Sequence, residues 1–458
     1  MKIRKANKAK IICITSLSCV LVLGTFFLLF ATRPTYSDTE KRDLAKFPKF
    51  TIKTLFNGDF GSGVVEWFSD TVPKRSEFLN KSSDIKKGFG VDKDGVTVID
   101  GGDVIKPNGE SAITEVSKPP VDVIIPDTTT PVTTGPATTQ ITSTQAVVTT
   151  VKVDDNFGVG DADGGVISNG IIVYKNRGMQ RFGGTYAAGS NYAAYVNAFK
   201  ADLGPNVNVY SMVIPTAQTF YMPKKYLDEC ASEPDNMTNI RNHLDGVIDV
   251  NIIPTLMEHK NEETYLRTDH HWAPLGAYYA AEEFAKVAKT NFVPLSTYTK
   301  LSWSGYVGTL YGYSNNNPDL KNNPETFYNY EIFDADKLDC KYYTSSYTNP
   351  VTTTLIWKTV STPNAYLSSM GGDDKINDIR TTMDTGRTLI IFKDSYGNSL
   401  QPFLTKSFSR IITVDLRYFK LNAIQFIKDQ GVTDVLFCPN TFSACGTIAP
   451  MIDKIRTQ

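Results

Sequence analysis

Asp269 and His271, two positions apart in Thr268-Asp269-His270-His271-Trp272, are residue types that orient and supply a general base, and a turn can bring their side chains together. The chain has only four histidines, and two are adjacent here. Such a base needs an alcohol to deprotonate. Ser395, in Asp394-Ser395-Tyr396-Gly397-Asn398, offers one: it follows an apolar run and sits in a sharp turn leading into a helix, which exposes the hydroxyl and surrounds it with backbone N–H groups. A serine there is by itself more often a helix cap. An Asp-x-His before a helix in the same chain shifts the reading to serine catalysis, with neutral His271 taking the hydroxyl proton and Asp269 holding the ring and offsetting the imidazolium.

Other residues are weighed against plainer roles. Asp269, His270 and His271 are also metal-ligand types, but neighbours in an extended run rarely face one ion and no third histidine is close in sequence, so no metal and no cofactor is expected. His270 then packs behind the site. Asn440, in Phe437-Cys438-Pro439-Asn440-Thr441, could aim an amide N–H at a developing oxyanion, beside the backbone N–H of Ser395; the plain reading is a turn asparagine. Arg417 is a second oxyanion or substrate candidate, as are Tyr396 and Trp272, whose indole would stack on a sugar or lie in the core.

The elements that must position these residues are legible as apolar runs. Val207–Ile214 reads as a buried strand, Val247–Ile253 is a further mostly apolar run, and Leu389–Phe392, Ile411–Val414 and Val435–Phe437 read as short apolar strands. Helices are expected through Tyr192, Tyr195, Val196 and Phe199, after Pro274, over Leu400–Phe408 and over Leu421–Lys428. The alternation near the C-terminus predicts an α/β fold with a parallel sheet, whose ligands bind beyond the carboxyl ends of the strands, where Ser395, Asp415 and Asn440 fall. Residues 290–385, rich in Tyr, Asn and Thr, read as an insertion of short strands and loops covering the site, with Gly308-Thr-Leu-Tyr-Gly312 and Met370-Gly-Gly372 as turn signals.

Lys2, Arg4, Lys5, Lys8 and Lys10 precede an uncharged run from Ile11 to Ala31, which has the ~20 residues that cross a bilayer. This predicts a cytoplasmic tail (1–10), a transmembrane anchor (11–31) and an exported remainder, a cleaved signal peptide being the alternative. Residues 32–107 mix charge and aromatics and are expected to pack on the main domain, with a short helix around Gly63–Asp70. Residues 108–155 form a Thr/Pro-rich linker or loop; eleven of the twenty-four residues from Asp127 to Thr150 are threonine, too little apolar surface to fold alone. The catalytic domain is then 156–458. A net charge of −1 without a basic stripe argues against nucleic acid. Cys230, Cys340, Cys438 and Cys445 allow at most two disulfides, so core packing must carry the fold.

Asp269-His-His-Trp272, Phe392-Lys-Asp-Ser-Tyr-Gly-Asn-Ser399 and Asp415-Leu-Arg-Tyr-Phe419 resemble the bacterial DHHW proteins, relatives of the SGNH-hydrolase-like alginate O-acetyltransferases. The resemblance extends to Glu40–Arg75 and Tyr210–Tyr221. It implies a three-layer, flavodoxin-like fold in which the Asp-x-His precedes the serine, a circularly permuted order, and an Asp269–His271–Ser395 triad. Lys393 stands where SGNH enzymes have the Gly of Gly-Asp-Ser, and only Asn440 is available as an equivalent of their Asn block. The implied function is transfer of an acetyl group to hydroxyls of a cell-envelope or secreted polysaccharide at the cell surface, the acyl group arriving through a multi-span membrane acyltransferase partner. A carbohydrate esterase using the same triad and a non-catalytic surface protein that binds carbohydrate through Trp272 and the Tyr-rich insertion are the alternatives.

Overall fold

The computed structural model describes residues 32–37, 42–51, 54, 59–73, 113, 115–126, 157–159, 166–168 and 170–458. The expected anchor at 11–31 and the threonine tract at 127–150 lie outside these residues, and among those described no helix is long and apolar enough to cross a membrane. The chain divides into two units, within residues 1–95 and 96–458. The first holds an antiparallel pair, β1 (Tyr36–Ser37) and β2 (Arg42–Asp43), and helix α1 (Asp59–Asp70), which contains the helix expected from the sequence. Phe47 meets the Trp67 ring edge-on at 4.9 Å, and the Arg33 guanidinium lies over the same indole, 4.2 Å from its centroid.

The second unit begins with a three-stranded antiparallel sheet: β3 (Val166–Ser168), β4 (Ile171–Tyr174) and β5 (Arg177–Met179). Helix α2 (Tyr186–Leu203), β6 (Asn208–Ser211), α3 (Glu233–His243) and β7 (Ile248–Asp249) follow. Next come α4 (Pro274–Val287), β8 (Tyr298–Tyr306), β9 (Glu325–Ile332), β10 (Asp339–Tyr343), β11 (Val351–Thr353) and β12 (Ile376–Arg380). The chain ends with β13 (Thr388–Lys393), β14 (Arg410–Asp415), α5 (Ala423–Asp429), β15 (Asp434–Cys438) and α6 (Ala449–Thr457).

The central sheet has eight strands in the order β11-β10-β12-β14-β13-β15-β6-β7. The five from β14 to β7 are parallel, as the alternating pattern requires, because parallel neighbours need a crossover on a sheet face. β13 shows how the sequence builds the layers. Leu389 and Ile391 face one core with α4, whereas Ile390 and Phe392 face a second core with α2, α5 and α6, and all four are fully buried. An uninterrupted apolar run is what a strand covered on both faces demands, and each such side chain contributes about 1.5–3 kcal/mol.

Two expectations are corrected. The sheet is mixed, not parallel throughout: β12, β10 and β11, all from the insertion, extend one edge antiparallel. β12 carries no apolar run, since its sequence, Ile-Asn-Asp-Ile-Arg, is largely polar. Its buried Asn377 bonds Met370 O and Gln401 Oε1, and its buried Asp378 takes a bidentate pair from Arg410 at 2.8 Å. The helix expected over Leu400–Phe408 is instead the 3-10 turn Gln401–Leu404, following another at Ser395–Ser399. Backbone bonds here span three residues, Phe403 N to Leu400 O at 3.2 Å and Ser407 N to Leu404 O at 2.9 Å, and Thr405 Oγ1 donates to Pro402 O at 3.0 Å, a side-chain bond that competes with an α-helical ladder. The four cysteines of the described residues are all free thiols.

Residues 115–126 run along the second unit without regular secondary structure. The Asn208 side chain acts as a strand partner for this run, accepting from Ile124 N at 2.8 Å and donating to Ile124 O at 2.9 Å.

Candidate active site

The loop that carries Asp269 and His271 is pinched at its base. Tyr265 and Trp272 form an antiparallel bridge, Ala273 N donates to Thr264 O at 2.9 Å, and Pro274 then opens α4. Gly276 in the first turn of that helix lies so close to the loop that a Cβ would sit 2.4 Å from Thr264 O. Within the loop Asp269 and His271 turn towards each other: Asp269 Oδ1 accepts from His271 Nδ1 at 2.6 Å and from its backbone N at 3.1 Å. Oδ2 accepts from Tyr306 Oη and Thr309 N, both at 2.9 Å, and from Thr309 Oγ1 at 3.2 Å. Burial alone would raise the Asp269 pKa, but the two histidine rings and the Thr309 donor outweigh it and hold the carboxyl well below the usual range. Its charge therefore persists, aimed at His271.

Ser395 follows β13 directly. Its Oγ lies 2.8 Å from His271 Nε2, so residues 124 positions apart complete a hydrogen-bonded chain from carboxylate through imidazole to alcohol. Asp394 shapes the turn beneath, its Oδ1 accepting from Tyr396 N at 2.9 Å and its Oδ2 from Asn440 N at 2.8 Å. Gly397 is required there, since a Cβ would come within 2.5 Å of Lys393 Cβ.

The remaining candidates separate. Trp272 is fully buried and donates through Nε1 to Tyr396 O at 2.8 Å, so it is a core residue that holds the serine turn rather than a sugar platform. Tyr396 is equally buried, its hydroxyl bonded to His270 O. Arg417 forks onto Asp415 at 2.8 and 2.7 Å and reaches Asp373 at 2.8 Å, which commits its charge to two carboxylates instead of an oxyanion. Asn440 is half-buried; its Oδ1 caps Ser443 N at 3.0 Å, and its Nδ2 makes no hydrogen bond among the described residues. His270 is largely buried, with Nδ1 2.6 Å from Thr309 Oγ1. Asp269, His270 and His271 each offer a ligand-type atom within 4.8 Å of the others, yet a cation there would have to break the Asp269–His271 contact.

The sequence profile of the family described as DHHW protein matches residues 40–414. The chain is a DHHW protein. A DHHW family protein from Eubacterium siraeum, known from a crystal structure, is 41% identical, with a TM-score of 0.60 over 64% of this chain and 97% of that one. PatB1 from Bacillus cereus, solved with a sulfonyl adduct, is 16% identical with a TM-score of 0.51, covering 61% of this chain and 96% of its own. The O-acetyltransferase domain of Pseudomonas putida AlgJ is 15% identical with a TM-score of 0.36, covering 64% and 99%. No functionally curated protein matches the chain. The mixed α/β architecture around a central sheet is thus one that this DHHW protein shares with PatB1.

Several site residues of this DHHW protein are not apparent from motif reading. Tyr306 and Thr309 reach Asp269 from the end of β8 and the Gly308 turn; Tyr366 and Asp373 come from either side of the Met370-Gly-Gly372 turn. Both turns were visible as glycine signals, but nothing local says which part of the fold they face. Asp373 bonds Asn398 Nδ2 at 2.9 Å; although burial pushes its pKa upward, the Lys393 and Arg417 cations bring it down to about 2.

Proposed function

We propose that this DHHW protein is an extracytoplasmic, membrane-anchored O-acyltransferase that moves an acetyl group through an acyl-Ser395 intermediate to hydroxyls of a cell-envelope or secreted polysaccharide. The observation that carries the reading is the chain of two short hydrogen bonds, Asp269 Oδ1 to His271 Nδ1 at 2.6 Å and His271 Nε2 to Ser395 Oγ at 2.8 Å. In the proposed reaction Oγ attacks the carbonyl carbon of the donor ester while its proton passes to Nε2. Collapse of the tetrahedral adduct breaks the bond to the donor oxygen, which leaves with that proton. An acceptor hydroxyl then repeats the sequence on the acyl-serine, giving its proton to His271 and regenerating Ser395. The backbone N–H of Ser395 and Asn440 Nδ2 are the donors proposed for the oxyanion.

Three-layer packing on a sheet whose carboxyl end carries the serine supports an SGNH-type reading, and resemblance of the motifs to alginate O-acetyltransferases favours acetyl transfer to a glycan. The donor would be supplied across the bilayer by a multi-span acyltransferase, the exported domain being tethered by residues 11–31. The carbohydrate-binding alternative loses its main platform, because the Trp272 indole has no exposed face. The test uses a fluorophosphonate serine probe on the full chain. Wild type labels and Ser395→Ala does not; a folded wild-type protein that fails to label overturns the proposal. Labelled acetyl donors offered with candidate glycans then separate transfer from hydrolysis.

A further inference from the structure

Tyr366, in the 3-10 turn Thr362–Ser368 of the insertion, touches both halves of the site. Its ring lies face to face with His271, centroids 3.9 Å apart and planes within 12°. Its hydroxyl donates to Ser395 O at 3.0 Å and is 3.3 Å from Tyr396 O. Tyr396 O also accepts from Trp272 Nε1, so the serine turn is held through its carbonyls from two sides. The turn that carries Tyr366 rests on the β8–β9 hairpin, where Phe327 meets its ring edge-on at 6.2 Å, and Tyr366 is itself buried, covering the imidazole face it stacks on.

We propose that Tyr366 is a positioning residue for acyl transfer, a single side chain that sets the plane of the base with its ring and the height of the nucleophile with its hydroxyl. The inference rests on the acyl-Ser395 reading. A flat ring stacked on an imidazole limits its rotation about the Asp269 bond, and the ring face attracts the imidazolium formed as Ser395 attacks more than the neutral ring it replaces. The contribution therefore grows along the reaction and belongs in kcat rather than in substrate binding. The hydroxyl bond fixes the backbone of Ser395 itself, so that Oγ stays in line with Nε2; small displacements of a reacting atom are costly in rate. It also explains why the insertion is more than a cover.

The experiment measures ester hydrolysis of p-nitrophenyl acetate and fluorophosphonate labelling rates for the full chain, Tyr366→Phe and Tyr366→Leu, with thermal melting as the folding control. Tyr366→Phe keeps the stack and loses the clamp, and kcat is expected to fall about 3- to 10-fold. Tyr366→Leu loses both, with a fall of about 30- to 100-fold and KM within about twofold of wild type. A Phe variant at the wild-type rate overturns the clamp, and a folded Leu variant no slower than the Phe variant overturns the stacking role. Should Tyr366→Leu not fold, Tyr366→Met replaces it with the same expected loss. If wild type and Ser395→Ala label alike, the acyl-serine reading itself fails, a result visible before any Tyr366 variant is compared.

Discussion

Replacing Asp269 by Asn changes one oxygen for an NH2 group at nearly constant volume, in a site where every neighbour is a donor. Oδ2 accepts from Tyr306 Oη, Thr309 N and Thr309 Oγ1, so the amide oxygen takes that position and the NH2 group faces His271 Nδ1 and the His271 backbone N. A donor opposite Nδ1 forces that nitrogen to be the acceptor and moves the ring proton to Nε2, the atom 2.8 Å from Ser395 Oγ. An imidazole in that tautomer cannot accept the hydroxyl proton, and the charge that offsets the imidazolium is gone as well. The two effects together are worth a fall in kcat of about 10⁴, or about 5 kcal/mol of transition-state stabilisation, with KM little changed. The NH2 group facing a backbone N–H costs about 1–3 kcal/mol of stability, which melting will register without loss of the fold. Hydrolysis of p-nitrophenyl acetate and fluorophosphonate labelling both read the loss. A folded Asp269→Asn protein within about tenfold of the wild-type kcat would refute the claim that Asp269 sets the tautomer of His271.

Gly308→Ala places a Cβ 2.3 Å from Asp269 Oδ2, so the carboxylate must shift; labelling of Ser395 is expected to slow by about 100-fold, and an unchanged rate would show that the Gly308 turn does not hold Asp269. At the opposite end of the parallel strands, Arg387 and Asp434 form a fully buried pair with an Nε–Oδ2 bond of 2.9 Å, and Arg387→Met strands the carboxylate: about 3–5 kcal/mol of stability is lost in urea unfolding, while the kcat of the protein that remains folded is unchanged. Burial, reinforced by the neighbouring His271, pushes the His270 pKa down to about 3, so the folded protein keeps this ring neutral while the unfolded chain takes up a proton below its ordinary value of 6.5. Stability contributed at neutral pH is therefore lost as pH falls from about 6.5 towards 3, about 2 kcal/mol of it by pH 5, and His270→Asn removes that slope; parallel denaturation curves at pH 7 and pH 5 for both proteins check this.

The sequence by itself marked Asp269, His271 and Ser395 as the candidate site, and the end of the sheet at which Ser395 lies. Asp-x-His before a proline-started helix and a serine after an apolar run are local signals, and burial on both faces writes itself into four consecutive apolar residues such as Leu389–Phe392. Only the tertiary structure decided that β12, polar in sequence, lies in the sheet, because Asn377 and Asp378 are tolerated there through partners as distant as Gln401 and Arg410. It likewise decided that Trp272 is core, that Arg417 is spent on Asp373 and Asp415, and that Tyr306, Thr309 and Tyr366 surround the Asp269–His271 pair. Apolar periodicity reports whether a side chain leaves water. Which donor meets which acceptor depends on loops folding back over tens of residues, and no local pattern encodes that.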